Sequence, residues 1–269
     1  MQPRILSLTA ILALGAASGA AAQRDDDQRL DCRDQDGWNN RRETYCTIVE
    51  RSITPGRSLR INAHPNGGVT VIGWDRREVE LRAKVQAYAR TERDAEDLVR
   101  EVEIVTDRGE IRAEGPDRRR RDESWYASFE LRVPRDSDLW IRAMNGGISV
   151  ADVRGEMDLE TKNGGLHLRG LAGNVMAHTT NGGVHVELEG RRWDGERLDV
   201  RTTNGGVDVR VPRDYSADLE TGTVNGGLDI EFPVQVRGRI SRRINTTLGD
   251  GGPPIRVVTT NGGVRIRRR

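Results

Sequence analysis

The stretch Thr179-Thr180-Asn181-Gly182-Gly183-Val184-His185-Val186 contains a motif that recurs through this sequence of 269 residues. Asn-Gly-Gly followed by an aliphatic residue occurs seven times, beginning at Asn66, Asn145, Asn163, Asn181, Asn204, Asn225 and Asn261. From Asn145 onward, successive copies begin 18, 18, 23, 21 and 36 residues apart. Short spacings of this kind indicate a repeat architecture.

The residues on both sides of the motif predict β-strands. Thr stands two residues before the Asn in five of the last six copies, and aliphatic residues stand three and five residues after it in all six. Period-two alternation of Val, Ile, Leu and Thr, interrupted by a Gly-containing turn, is typical of strand–turn–strand units. Asn tolerates left-handed backbone conformations and Gly adopts them without steric cost, so Asn-Gly-Gly is a strong turn signal.

Two all-β architectures are compatible with these units. Each unit is either an antiparallel hairpin, since Asn-Gly favours type I′ turns, or one coil of a parallel solenoid with equivalent positions stacked roughly 4.8 Å apart. Six residues after the Asn, the charges alternate through Arg169, Glu187, Arg210 and Glu231, which favours stacking. A hairpin would instead place Glu220 opposite Glu231, an unfavourable pair. We therefore predict a parallel β-solenoid, with an antiparallel β-hairpin meander as the alternative.

Stacking in sequence order has further consequences for the turns and the outward charges. The Asn side chains are predicted to form a hydrogen-bonded ladder along one corner of the solenoid. Like charges then become neighbours at one place, because Asp199 is stacked near Glu220. This second consequence is unfavourable, and it keeps the hairpin alternative open.

Residues 1–22 are predicted to be a secretory signal peptide. Arg4 supplies a positive charge, residues 5–17 an apolar run and Ala20-Ala21-Ala22 a small-residue cleavage site. The run is shorter than the roughly 20 residues that a membrane-spanning helix needs, and no later stretch is apolar enough. Losing Arg4 lowers the formal charge from +1 to zero. The protein is expected to be exported, to the periplasm or to the cell surface and beyond.

The rest of the chain divides into three predicted parts. Residues 23–47 form a polar segment whose only cysteines, Cys32 and Cys46, are expected to pair in an oxidising compartment. Residues 48–136 form an N-terminal β part with one amphipathic helix near 91–102, which begins with a capping box at Thr91 and is expected to cover one face or one end of the sheet stack. Residues 137–269 form the repeat region.

Candidate binding residues stand on the outward side of the predicted stack. Four residues after their Asn, successive repeats carry Ser149, His167, His185, Asp208 and Asp229, of which the last four are the candidates. His and Asp side chains that converge on one face are able to bind a divalent metal, but ordinary solvent-facing polarity explains them equally well. Ser149, His167 and Asp208 are the residue types of a nucleophilic triad, yet an open sheet surface provides no oxyanion hole. We therefore predict no catalytic residue, no metal and no cofactor.

Nucleic acid is not a predicted partner. The basic run Arg118–Arg121 is flanked by Asp117, Asp122 and Glu123, and the overall charge is near zero, which is typical of a solvated loop.

Several motifs together resemble the bacterial "putative adhesin" family of secreted β-repeat proteins, a domain family of unknown function. They are the signal peptide, Pro55-Gly56-Arg-Ser-Leu59, the Asn66 turn, a short helix, Leu131-Arg-Val-Pro134 and serial Thr-x-Asn-Gly units. The resemblance spans roughly residues 48–266 and implies a solenoid-like fold and an envelope location. The resemblance implies no catalytic residues.

The predicted function is that of a non-enzymatic, exported β-repeat protein of the cell envelope that acts as an adhesion, scaffolding or binding module. An envelope protein or a glycan is the expected partner, because an extended repeating face suits weak multivalent contact. One alternative is a carbohydrate-active or metal-dependent enzyme that uses the outward His/Asp column. The other is a structural periplasmic protein without a specific ligand.

Overall fold

The computed structural model describes residues 29–33, 42–54, 56, 58–116, 122–231 and 243–269. The predicted signal peptide and the basic run at residues 118–121 lie outside these residues. Within the described part of the chain, no helix is long and apolar enough to cross a membrane.

The described residues form twenty strands and one helix. In the N-terminal part they are β1 Glu43–Ile53, β2 Ser58–Asn66, β3 Val69–Trp74, β4 Val79–Ala89, α1 Glu92–Arg100, β5 Glu103–Asp107, β6 Glu110–Glu114 and β7 Ser124–Pro134. In the repeat region they are β8 Asp138–Asn145, β9 Ile148–Ala151, β10 Arg154–Asn163, β11 Leu166–Arg169, β12 Ala172–Asn181, β13 Val184–Glu187, β14 Arg197–Asn204, β15 Val207–Val211, β16 Ala217–Asn225, β17 Leu228–Ile230, β18 Arg243–Leu248, β19 Pro254–Asn261 and β20 Val264–Arg268.

The strands form two ten-stranded sheets that enclose one hydrophobic core. Sheet A has the order β1-β4-β7-β3-β9-β11-β13-β15-β20-β17. Sheet B has the order β18-β16-β19-β14-β12-β10-β8-β2-β6-β5. Each repeat contributes one strand to sheet B, turns at its Asn-Gly-Gly and contributes the next strand to sheet A. Neighbouring repeats pair in parallel, which confirms the predicted solenoid.

Side-chain alternation along each strand fills the core. Leu166, Val184 and Val207 stack in register on neighbouring strands of sheet A, and each is at most 3% exposed. The Thr that stands two residues before the Asn in five of the turns also points inward, and its Oγ1 donates to a Gly carbonyl of the adjacent turn. These bonds are 2.7–2.9 Å long, and the donors are Thr161, Thr179, Thr202, Thr223 and Thr259. Thr therefore recurs because a buried hydroxyl needs a partner, which the stacked turn supplies.

A ladder of Asn side chains runs along the turns. Each Nδ2 donates to the Oδ1 of the neighbouring Asn at 2.8 Å, in the order Asn66, Asn145, Asn163, Asn181, Asn204, Asn261, Asn225. The turns approach closely, since a Cβ at Gly182 would lie 2.0 Å from the carbonyl oxygen of Gly164. Gly directly after the Asn is thus required by the spacing of the stack.

The last two coils are stacked out of sequence order, so the expectation of sequential stacking is wrong there. Strands β19 and β20 pair on one side with β14 and β15, and on the other side with β16 and β17. Strand β18 then pairs antiparallel with the far side of β16. The segment 254–268 therefore fills a gap one strand wide that lies between two coils preceding it in sequence.

Charge complementarity accompanies this order. Arg256 of β19 lies between Asp199 and Glu220, with Nη1 3.5 Å from Asp199 Oδ1 and Nε 3.0 Å from Glu220 Oε1. Sequential stacking would have placed those two carboxylates side by side, which is unfavourable. Insertion of the Arg-bearing strand removes that repulsion.

The N-terminal end is closed by antiparallel structure. Strand β4 pairs antiparallel with β1 and β7, and the hairpin β5–β6 ends sheet B. Helix α1, within the predicted range 91–102, packs against β1 and β4 and buries Ala95, Leu98 and Val99. Its N-cap is Thr91, whose Oγ1 accepts from the Asp94 N–H at 3.1 Å. The apolar side of the helix thus packs on two neighbouring strands at the N-terminal end of sheet A, and the hairpin is the last unit of sheet B.

Cys32 and Cys46 form a disulfide, which joins residues 29–33 to β1. The sequence separation of 14 residues closes a short loop, for which the chain-entropy model gives about 3 kcal/mol of stability. We expect Cys46→Ser to lower the free energy of unfolding by about that amount. Thermal unfolding with and without reductant checks this, with the double variant C32S/C46S as the control that reductant does not affect. Identical midpoints for the unaltered protein in both conditions would contradict the prediction.

Candidate functional site

The outer face of sheet A carries two regular columns of outward side chains, because every second residue of each strand points away from the core. The first outward column consists of Thr70, Ser149, His167, His185, Asp208, Arg265 and Asp229. The second outward column consists of Ile72, Ala151, Arg169, Glu187, Arg210, Arg267 and Glu231. Both columns are continuous across seven neighbouring strands.

A shallow depression of about 950 Å³ lies on these columns. We call it the sheet A trough. Its floor is formed by parts of β3, β9, β11 and β13, and it is lined by Thr70, Trp74, Ser149, His167, Arg169, His185 and Glu187 together with Asp75, Arg132, Arg135 and Asp152. Ile72, Gly73, Val150, Ala151 and Leu168 complete the lining, so the trough presents both hydrogen-bonding and apolar groups.

Three of the four predicted candidates lie next to one another at one end of the trough. The imidazole centroids of His167 and His185 are 6.2 Å apart. His185 Nδ1 lies 3.6 Å from Asp208 Oδ1, which is longer than a hydrogen bond. Arg267 Nη2 lies 3.1 Å from the other carboxylate oxygen, Oδ2. Asp208 Oδ1 is buried and has no hydrogen-bond partner among the described residues, so only one oxygen of this carboxylate is paired there.

Asp229, the fourth candidate, is not beside Asp208, so that part of the predicted column is wrong. Arg265 of the inserted strand β20 lies between them, and its Nε donates to Asp229 Oδ2 at 3.3 Å. The physical reason is again the insertion, which places an Arg between two like charges.

Ion pairs hold the side chains at the other end of the trough. Arg169 Nη2 lies 3.1 Å from Asp152 Oδ2, and Arg135 Nε donates to Asp75 Oδ1 at 2.7 Å. The hydrogen bond from Arg135 lowers the pKa of the Asp75 carboxyl from its usual value, so the pair is charged at neutral pH. Neighbouring donors and acceptors thus present a surface of mixed sign.

The trough is lined by polar and charged side chains on an open sheet surface. Within the described residues, no group of three or more His, Cys, Asp or Glu side chains is placed to hold a metal ion. Ser149 and His167 are neighbours on an open sheet surface, where a developing oxyanion has no preorganised pair of donors. The geometry therefore offers hydrogen bonds and charge, without a nucleophile in an enclosed site.

Comparison with known sequences identifies the fold family. The family model of the Toastrack DUF4097 domain matches residues 96–267, which is more than half of the chain. The chain belongs to the Toastrack DUF4097 family. The Toastrack match begins within α1 and ends in β20, although β2, β3 and the Asn66 turn already form a coil of the same kind. No curated protein matches the sequence.

Several solved structures resemble the Toastrack chain distantly. A "putative cell adhesion protein" from Clostridium sporogenes is 11% identical at a TM-score of 0.42, covering 84% of this chain and 100% of that chain. A "putative adhesin" from Bacteroides fragilis is 10% identical at a TM-score of 0.36, and the match covers 83% of this chain and 97% of that chain. A "putative lipid binding protein" from Parabacteroides distasonis is 10% identical at a TM-score of 0.27, and the match covers 82% of this chain and 96% of that chain. These similarities assign no function to this chain.

A segment outside the Toastrack match lies on the same face as the trough. We call residues 29–33 the N-terminal strap. The Leu30 N–H donates to Glu130 Oε2 at 2.7 Å, and Arg82 Nε donates to the Leu30 carbonyl at 2.6 Å. Arg82 and Glu130 are register partners on β4 and β7, and Glu130 is next to Thr70 at the head of the first outward column. The main-chain N–H and C=O of Leu30 in the strap are thus hydrogen-bonded to outward side chains of sheet A.

Side chains of sheet A beneath the strap are buried. Glu130 is only 6% exposed, and the disulfide to Cys46 lies beside Gln86, which is 1% exposed. Tyr126 Oη donates to Gln86 Oε1 at 2.5 Å, and burial raises the pKa of the Tyr126 phenol well above its usual range. None of these contacts is evident from the sequence. Its one available signal was the cysteine pair, which predicts the tether but says nothing of Arg82 or Glu130.

Proposed function

We propose that the protein is a non-enzymatic adhesion or scaffolding module of the cell envelope, which binds an extended partner chain along the sheet A trough. The N-terminal strap is the observation that carries this proposal. It is a peptide segment whose N–H and C=O groups are bound by a Glu and an Arg of sheet A. The trough continues the same face with further side chains of both kinds, among them Arg169 and Glu187.

The regular spacing of the columns supports an extended partner over a compact one. Equivalent side chains recur at the strand spacing of roughly 4.8 Å, so a chain that follows the first outward column across the strands meets a donor or acceptor at each step. Single contacts on an exposed surface are weak, and many of them in a row produce useful affinity. A polypeptide of an envelope protein fits this chemistry by analogy with the strap, and a glycan offers hydroxyl groups to the same side chains.

Export is part of the proposal. The predicted signal peptide at residues 1–22 and the disulfide between Cys32 and Cys46 both support an oxidising compartment outside the cytoplasm. In the exported protein, residues 23–47 serve as the tethered segment, 48–136 as the closed end and 137–269 as the repeat region.

A capture experiment with matched variants tests the proposal. Tagged protein comprising residues 23–269 is exposed to solubilised envelope proteins and to purified cell-wall glycan, and bound species are identified by mass spectrometry. The trough variant is H167A/R169A. The control variant, H178A/R201A, removes the same residue types from the outer face of sheet B, where both side chains point outward.

We expect the unaltered protein and the sheet B variant to capture the same partner, and the trough variant to capture at least about tenfold less, as for loss of central interface residues. Equal capture by all three proteins would rule out the trough as the binding site. Capture of nothing from either fraction would leave the structural role without a ligand as the better hypothesis.

A further inference from the structure

The seven Asn-Gly bonds share one local sequence but have different surroundings in the ladder. Asn-Gly is the dipeptide most prone to deamidation, because Gly has no side chain to hinder attack by its own backbone nitrogen. In that reaction the Gly nitrogen forms a bond to the Asn Cγ, the bond from Cγ to Nδ2 breaks, and ammonia leaves. Water then opens the cyclic imide to Asp or isoaspartate. The reaction needs a Gly N–H that is free and an Asn side chain that is able to rotate.

Five of the seven Gly N–H groups are engaged by the neighbouring coil. Each donates to the main-chain carbonyl of the next Asn in the ladder, at distances from 2.9 to 3.3 Å. The donors are Gly67, Gly164, Gly182, Gly205 and Gly262. Attack from these nitrogens requires the stack to open first, and opening costs free energy.

The Asn145 side chain is held on both sides. Its Nδ2 donates to Asn66 Oδ1 at 2.8 Å and to the Pro65 carbonyl at 3.1 Å, and its Oδ1 accepts from Asn163. Rotation of this amide toward Gly146 breaks three hydrogen bonds at once.

Asn225 differs because it is the last member of the ladder. Its Nδ2 donates to Asn261 Oδ1, but within the described residues nothing donates to its own Oδ1. The N–H of Gly226 likewise has no acceptor in the described part of the chain. Gly226 is exposed, whereas the other six glycines that follow an Asn are buried or half-buried. A Cβ placed on Gly227 would meet no atom within 4 Å, so this turn has open space around it.

We propose that Asn225 is a spontaneous deamidation site and that the ladder protects the other six Asn-Gly bonds. The product carries a carboxylate in place of the amide, and this group has no N–H to donate to Asn261 Oδ1. The end of the ladder therefore loses its last hydrogen bond and gains a negative charge.

The test compares the seven sites within one protein. The chain comprising residues 23–269 is incubated folded in mildly alkaline buffer, and a second sample is incubated in concentrated denaturant. Peptide mapping by mass spectrometry then gives a deamidation rate at each Asn. In the folded protein, Asn225 is expected to react more than about tenfold faster than Asn163, Asn181 and Asn204, since each tenfold corresponds to about 1.4 kcal/mol of opening free energy. In denaturant the seven rates are expected to converge.

The variant Asn225→Gln serves as the control. It is expected to abolish the fast reaction and to leave the rates at the other six sites unchanged. A folded-state rate at Asn225 no higher than the rate at Asn181 would overturn the proposal. So would an advantage of Asn225 that persists in denaturant, because local sequence rather than the ladder would then set the rates.

Discussion

Val184→Asp is expected to unfold the repeat region, whereas His185→Ala, one residue further along β13, is expected to leave it folded. Val184 is 3% exposed and packs in the core between Leu166 and Val207. A carboxylate at that position has no partner and no water, and burial of an unpaired charge costs at least about 4 kcal/mol. His185 points into the trough, so truncation removes only surface contacts, for a loss of less than about 1 kcal/mol.

Chemical denaturation followed by circular dichroism measures both free energies of unfolding. The comparison is internally matched, because the two positions share a strand and differ only in the face on which they lie. Equal losses for the two variants would mean that the inward and outward assignments of β13 are wrong.

Deletion of residues 254–269 is expected to detach a coil that precedes the deletion in sequence. Strands β16 and β17 are joined to the rest of their sheets through β19 and β20, so without these strands they face a gap that leaves them roughly 10 Å from β14 and β15. The deletion also removes the buried side chains Ile255, Val257, Val264 and Ile266. At about 1.5–3 kcal/mol for each buried aliphatic side chain, the loss exceeds about 5 kcal/mol.

Hydrogen exchange read by mass spectrometry follows each coil separately. In the shortened chain, the amides of β16–β18 are expected to lose protection, while those of β8–β13 keep most of theirs. Deletion of Arg269 alone is the control. It removes the ion pairs of Arg269 with Glu187 and Glu189 and one main-chain hydrogen bond to Val211, and is expected to cost about 1–2 kcal/mol. Protection retained in β16 and β17 would show that these strands pair with β14 and β15 directly.

The repeating part of the fold was predictable because its signals are local. The alternation around Val184, the Thr before each turn and the Asn-Gly pair each specify the conformation of a few residues. Parallel stacking then follows from the matching register of successive copies. The helix at residues 92–100 was predictable for the same reason, since its cap at Thr91 and its apolar spacing lie within one short stretch.

The order of the last coils was not predictable from the same signals. Asn225 and Asn261 carry the same motif, and either one satisfies a ladder position next to Asn204. The choice depends on long-range pairing and on charges such as Arg256, whose effect depends on which neighbours it receives. The candidate site was affected in the same way: His167, His185 and Asp208 were correctly grouped, and Asp229 was separated from them by the inserted Arg265.

The insertion of β19 and β20 also constrains the order in which the coils fold when the chain emerges with its N-terminus first. The coils from β8 to β15 are able to settle on one another in the order in which they appear. Residues 217–230, once emerged, take their final place only when residues 254–268 arrive, because β19 and β20 lie between them and β14–β15. A chain interrupted between these segments leaves two open sheet edges, which are targets for proteases and chaperones. The last coils therefore reach their final order only after residue 268 has emerged.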